Sequence, residues 1–175
     1  MKKTDRNALI SIVVVILIGV GVAFAGSQGG SRVGGLPLFA LGVIVAFAIQ
    51  WLVFIPAFIQ QTEKFFDLTG SFTYISVTLL AVLLSPVRDA RSLLLLAVVV
   101  IWAGRLGTFL FRRVHKAGKD SRFDDLKPSF LRFLNVWTLQ GLWVTFTLAA
   151  ALAAITTNTR KELDIFALLG FLVWA

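Results

Sequence analysis

Arg105 is the one charged side chain set deep within an apolar run, and other polar groups accompany it. At helical spacing Trp102, Arg105, Thr108 and Arg112 fall on one face. Trp137, Gln140, Trp143 and Thr147 share a face of a second run, and Gln50, Phe54, Ala57 and Gln61 a face of a third, which Pro56 is expected to kink. Arg105 lies six residues from Phe111, about 9 Å at helical rise, and Gln140 sits level with it if the two helices are antiparallel. Gln50 and Tyr74 fall in the same half of the bilayer. Aromatic walls with a few converging polar groups describe a pocket for a flat, apolar ligand. Taken alone, Arg105 fits equally well with a guanidinium that bends back to the headgroups beside Arg112 and Arg113. Its company tips the reading to a site, because intramembrane charges face a cavity or a partner. Trp137 suits the interfacial belt, whereas Trp102 and Trp143 lie too deep for it.

Other titratable groups carry less. Glu63 and Asp67 flank Lys64 and read as solvated loop charges or a helix cap. The stretch 112–132 holds seven Lys and Arg against Asp120, Asp124 and Asp125. It reads as an anchor on anionic lipid, with binding of a cofactor's phosphates as the functional alternative. His115 stands there without partners and reads as solvated. The sequence offers no nucleophile–base pair and no metal-ligating cluster, so no metal is expected.

These residues must be positioned by lipid-embedded helices. Hydrophobic residues make up 58% of the 175 and charged ones 15%, far from the balance of soluble domains. Six apolar blocks predict an all-α, polytopic transmembrane bundle in a single membrane domain, with spans near 8–25, 36–59, 66–84, 92–111, 134–155 and 163–175. The last is too short to cross, which gives the expectation of a chain that stops inside its final span. The first block follows Lys2, Lys3 and Arg6 and is long for a signal peptide, so it reads as a retained helix. The net charge of +8 sits in the joints between blocks, which fits topology signals and membrane lipid as partner, not nucleic acid. Gly26–Gly35 is read as a flexible hairpin on the outer face, not a phosphate cradle. Cysteine is absent.

Four stretches, in order, resemble the bacterial membrane proteins of the steroid 5α-reductase-like superfamily: Phe66–Ser71, Trp102–Gly107, Lys119–Asp124 and Leu139–Trp143. The resemblance spans roughly 60–155. It implies an integral membrane oxidoreductase that uses NADPH to saturate a C=C bond conjugated to a carbonyl in an apolar, steroid- or lipid-like substrate, as stabilisation of a developing enolate. By that resemblance Arg105 and Gln140 line the cofactor–substrate cavity, Asp120 and Arg122 order the cytoplasmic loop, and Gln50, Phe54, Trp102 and Trp143 bound the substrate. Tyr74 and Glu63 are candidates for the catalytic donor. The superfamily's C-terminal Arg-His-Pro-Asn-Tyr-like run has no counterpart, since the prolines stand at 37, 56, 86 and 128 and the histidine at 115. The expectation is therefore the front part of a reductase, inactive alone. A membrane methyltransferase of the isoprenylcysteine or phospholipid type, or a non-enzymatic module that binds lipid or assembles with a partner, are the alternatives.

Of the Lys and Arg outside the spans, eleven fall on the side of the N-terminus and the 112–132 loop and five on the other. The positive-inside rule predicts a multi-pass protein of the cytoplasmic (inner) membrane with its N-terminus inside. Single cysteines at Ser27 and Lys119 should therefore label from opposite faces of intact spheroplasts. Reaction of the Lys119 position with an impermeant external reagent would reverse the orientation.

Overall fold

The computed structural model describes residues 2–175. Its helices are α1 (Lys3–Gly26), α2 (Leu38–Ile59), α3 (Phe66–Leu84), α4 (Ala90–Ala117), α5 (Phe130–Thr156) and α6 (Ile165–Trp174). The first five are long and apolar enough to cross a membrane. The protein is an all-α polytopic bundle.

Helix α3 sits at the centre, packed against α2, α4 and α5, and α5 in turn holds α1 and α2. The reason lies in its composition. Thr69, Gly70, Ser71, Thr73 and Thr78 are all buried, and small residues allow close backbone approach where lipid supplies no hydrophobic drive between helices. Gly107 of α4 lies against Ser71, where a side chain would place its Cβ only 2.6 Å from the serine Cβ. The apolar core forms where Phe39, Val43 and Phe47 of α2 meet Val77 and Ala81 of α3 and Leu148 and Leu152 of α5. A second cluster gathers Phe54, Phe123, Phe133 and Trp137. The outward residues of α1, including Leu17, Val20 and Phe24, are exposed in the protein and belong to lipid.

Helix α4 is longer than its apolar run. At 28 residues it spans about 42 Å, against a hydrocarbon core of about 30 Å, so its basic end projects beyond the core. Arg112, Arg113, His115 and Lys116, expected in a loop, are helical, because no breaker intervenes before Gly118 with its φ of 81°. Phe130 to Arg132 likewise belong to α5. At the other end Asp89 caps α4, accepting from the Ser92 N–H at 2.8 Å and from its hydroxyl, while the Lys161 N–H donates to it at 3.0 Å.

Two expectations are corrected here. The glycine-rich segment does form a hairpin, β1 (Arg32–Val33) against β2 (Leu36–Pro37), but it is fastened and not a free tether. The Ser31 N–H and hydroxyl donate to the Thr156 carbonyl at 2.7 and 2.8 Å, and Gly30 bridges Thr157. Gln61 leaves the face of Gln50, Phe54 and Ala57, because α2 ends at Ile59 and Gln61 turns to a φ of 50°. Pro56 lies inside α2, three residues from its end.

Gly107→Val should force α3 and α4 apart, since the obstructing atom is a Cβ that cannot swing away. Overpacking of this kind costs about 1–3 kcal/mol. A lowered thermal midpoint in detergent is the expected result, whereas Gly104→Val, which meets open space, should leave it unchanged.

Candidate functional site in the cleft beside helix α4

Along α4 the residues Trp102, Arg105, Phe109, Arg112 and Lys116 repeat at alternating three- and four-residue steps and so form one stripe. That stripe, with Thr108 beside it and Trp174 of α6 facing it, lines a cleft of about 1290 Å³. Ligand pockets usually occupy about 300–1,000 Å³, so the space admits a large ligand. Arg105, Arg112 and Lys116 have no ion-pair partner among the described residues. Arg113 does, approaching Asp67 at 3.7 Å and Asp120 at 3.8 Å. The cleft thus concentrates uncompensated positive charge beside aromatic faces, which suits an anionic group joined to a planar one.

The floor of the stripe is held from within. The Trp102 ring meets Tyr74 edge-on with centroids 4.9 Å apart. The Tyr74 hydroxyl lies 2.6 Å from Thr147 Oγ1, and Thr147 donates to the Trp143 carbonyl at 2.8 Å, which leaves the tyrosine as donor to the threonine. Tyr74 is buried and does not itself reach the cleft lining.

The other predicted residues lie elsewhere. Gln140 packs on Gly70 and donates to the Phe66 carbonyl at 3.2 Å, its Oε1 buried without a partner. It meets α3 at Gly70, whereas α4 meets α3 at Ser71, a different face. Equal depth therefore does not bring Gln140 and Arg105 to one cavity. Gln50 is fully buried, donating to Thr73 Oγ1 at 2.8 Å. Phe54 belongs to the aromatic cluster, 5.7 Å from Phe133 and 6.5 Å from Trp137. Trp143 is 67% exposed on the outside of the bundle. Of the four residues expected to bound the substrate, Trp102 alone lines the cleft.

Glu63 corrects a second expectation. It is 4% exposed, not a solvated loop charge. Lys127 donates to it at 2.5 Å and the Asp120 N–H at 2.8 Å, so one carboxylate ties the α2–α3 joint to the α4–α5 loop. Burial pushes the Glu63 carboxyl up, but the hydrogen bonds from Lys127 and Asp120 outweigh it and hold it below its ordinary value. Asp120 caps the short 3-10 turn Ser121–Phe123 and takes the Arg122 Nε at 2.9 and 3.0 Å. The Arg122 hydrogen bond is the main reason the Asp120 carboxyl is lowered. His115 is exposed and stacks on Phe111 at 5.9 Å.

Lys116 and Trp174 were missed from sequence. Lys116 stands four residues beyond Arg112 on the same face, a signal that is legible once α4 is carried to Ala117. Nothing in the sequence points Trp174 at α4.

Fold and site together define a multi-pass, helical membrane protein with a basic, aromatic cleft. Residues 53–175 match DUF1295, a family of proteins of unknown function that includes steroid 5α-reductase-like proteins, and the chain belongs to that family. The match takes in the whole cleft and the Glu63 junction, while α1 and most of α2 precede it. No curated protein and no solved structure matches the chain.

Two of the lowered carboxylates, Asp89 and Glu63, join separate parts of the chain and lose their stabilising charge in acid. Asp89, against burial, is brought to about 2 by Ser92, the Lys161 N–H and Arg91; its contribution is complete above its ordinary 3.8 and fades as pH falls toward that lower value. Glu63 contributes fully above its ordinary 4.5 and less as pH drops below it. Unfolding midpoints in detergent should therefore be flat from neutrality to about pH 5 and fall below it. Glu63→Gln should cost about 1–3 kcal/mol at pH 7, because it removes the nearer charge from Lys127 and leaves it only Asp124 at 3.5 Å, and should flatten the acid limb.

Proposed function

We propose that this chain supplies the phosphate-binding wall of a membrane oxidoreductase that reduces, with NADPH, a C=C bond conjugated to a carbonyl in a flat, apolar, membrane-soluble substrate. The observation that carries the reading is the stripe of Arg105, Arg112 and Lys116, in a cleft lined by no Asp or Glu and interleaved with Trp102 and Phe109. Membership of a family that includes steroid 5α-reductase-like proteins supports the same chemistry.

The residues present fit such a cofactor. Arg105, within the span, would otherwise face hydrocarbon without a partner, which is costly there, and Arg112 and Lys116 add two unpaired cations on the same face. Arg112 and Lys116, nearer the basic end, would take phosphates, and the planar fork of Arg105, deeper in, would grip a phosphate or carbonyl oxygen bidentately. Trp102 offers a face for a ring. When bound, NADPH supplies the hydride. The chain's own residues bind, orient and exclude lipid. Tyr74 is a positioning residue here, since its ring holds Trp102 and its proton is committed to Thr147. Glu63 is likewise a positioning residue, holding the loop through Lys127 and the Asp120 amide. Gln140 braces α5 on α3 through the Phe66 carbonyl. With the N-terminus inside, the cleft's basic end would open toward the cytosolic cofactor pool. A methyltransferase reading fits less well, because a sulfonium donor is cationic and the cleft already carries unpaired positive charge.

The test uses the protein at its natural length, purified from its own membrane, with an enone substrate. Arg105→Lys keeps the charge and loses the fork, so the KM for NADPH should rise by roughly tenfold to a hundredfold. Insertion and thermal midpoint should hold. Unchanged kinetics would return Arg105 to a guanidinium that merely reaches for the headgroups.

A further inference from the structure

A second pair of cavities lies away from the α4 cleft, where the N-termini of α1 and α5 meet. One, of about 420 Å³, is lined by Lys2, Asp5, Asp125, Ser129 and Arg132, together with Phe130. The other, of about 570 Å³, is an apolar groove between α1, α2 and α5, lined by Ile12, Ile16, Trp51, Phe54 and Ile59 and again by Phe130. Phe130 lines both, so the polar basin adjoins the apolar groove. Along α2 the groove runs from Trp51 to Ile59, eight residues or about 12 Å at helical rise, most of the roughly 15 Å of one leaflet's hydrocarbon.

The charge of the basin selects the headgroup. Two cations, Lys2 and Arg132, stand with two carboxylates, Asp5 and Asp125, so the basin has no net charge from its lining. Asp5 is partly used, accepting from the Ser129 hydroxyl at 2.7 Å. Asp125 and Arg132 have no ion-pair partner among the described residues. A purely anionic headgroup would satisfy the cations and repel the acids. A choline would offer the acids a charge but no N–H donor. A headgroup with both a phosphate and a primary ammonium satisfies both signs.

We propose that this composite site holds one phosphatidylethanolamine molecule. Its phosphate sits at Lys2 and Arg132 and its ammonium at Asp125 and Asp5. An acyl chain lies along Ile12, Ile16 and Ile55. The lipid would seal the α1–α2–α5 groove and fasten α1 to the rest of the bundle. The inference does not rest on the oxidoreductase reading, since none of these residues lines the α4 cleft.

Native mass spectrometry of the protein released from nanodiscs tests it. The nanodiscs contain equal parts of dioleoyl-phosphatidylethanolamine, dioleoyl-phosphatidylcholine and dioleoyl-phosphatidylglycerol. One phosphatidylethanolamine per protein should be retained, about tenfold in excess of either other lipid, the selectivity of one charge-assisted hydrogen bond. Asp125→Asn with Arg132→Gln should abolish that preference. These side chains have no ion-pair partner to lose, so the thermal midpoint in lipid-free detergent should stay the same. Ile16→Trp, which fills the groove, should displace the lipid with the headgroup basin intact. Equal retention of the three headgroups, or a preference that survives the double substitution, would overturn the proposal.

Discussion

Hydrocarbon offers no partner to a polar group, and that constraint decides which helices of this protein touch. Gln50 donates to Thr73, Tyr74 bonds Thr147, Trp51 donates to Thr138 and Gln140 reaches the Phe66 carbonyl. Three of these four cross-helix bonds end on α3. Each contributes only about 0.6–2 kcal/mol in a membrane, but an unmet polar group there costs more, so the pairs set register as well as affinity. The buried threonines of α3 satisfy themselves in passing, Thr73 to Thr69 and Thr78 to Tyr74 through the preceding turn's carbonyls. This lets α3 present hydroxyl-lined, small-residue faces on three sides.

Helix α4 is held almost entirely by α3, and the cations Arg105, Arg112 and Lys116 along it meet no carboxylate side chain among the described residues. Its basic end is fixed by other means. Glu63, Lys127, Asp120 and Arg122 form a connected set that pins the α4–α5 loop to the start of α3, with Arg113 reaching both Asp67 and Asp120. Carboxylates are thus spent on building the loop, and the cations farther up α4 are left free for a ligand.

The spans were legible in the sequence because hydropathy over 20 residues is a strong signal, and the limits of α3 are those the apolar run predicts. The end of α4 was not, since hydropathy marks where lipid ends and the helix continues through Arg112 to Ala117. Likewise the stripe of Trp102, Arg105 and Arg112 was readable from spacing alone. Sequence depth placed Gln140 level with Arg105, but depth along the normal says nothing of direction around an axis, and α3 directs the two apart. Glu63 was unreadable for a different reason. Its partner Lys127 stands 64 residues away, and one carboxylate beside a lysine in a joint looks the same whether solvated or buried.

On the proposed function, the unpaired cations of α4 line a water-accessible, anion-binding cleft and do not simply face lipid. The chain has no cysteine, so one can be placed without background at Thr108, between Arg105 and Arg112 on the cleft wall. Its rate of reaction with a charged, membrane-impermeant maleimide in inverted vesicles is the measurement. Fast labelling, slowed by added NADPH and not by NADH, is the expected result. A cysteine that reacts only with apolar, lipid-soluble reagents and is indifferent to NADPH would contradict it.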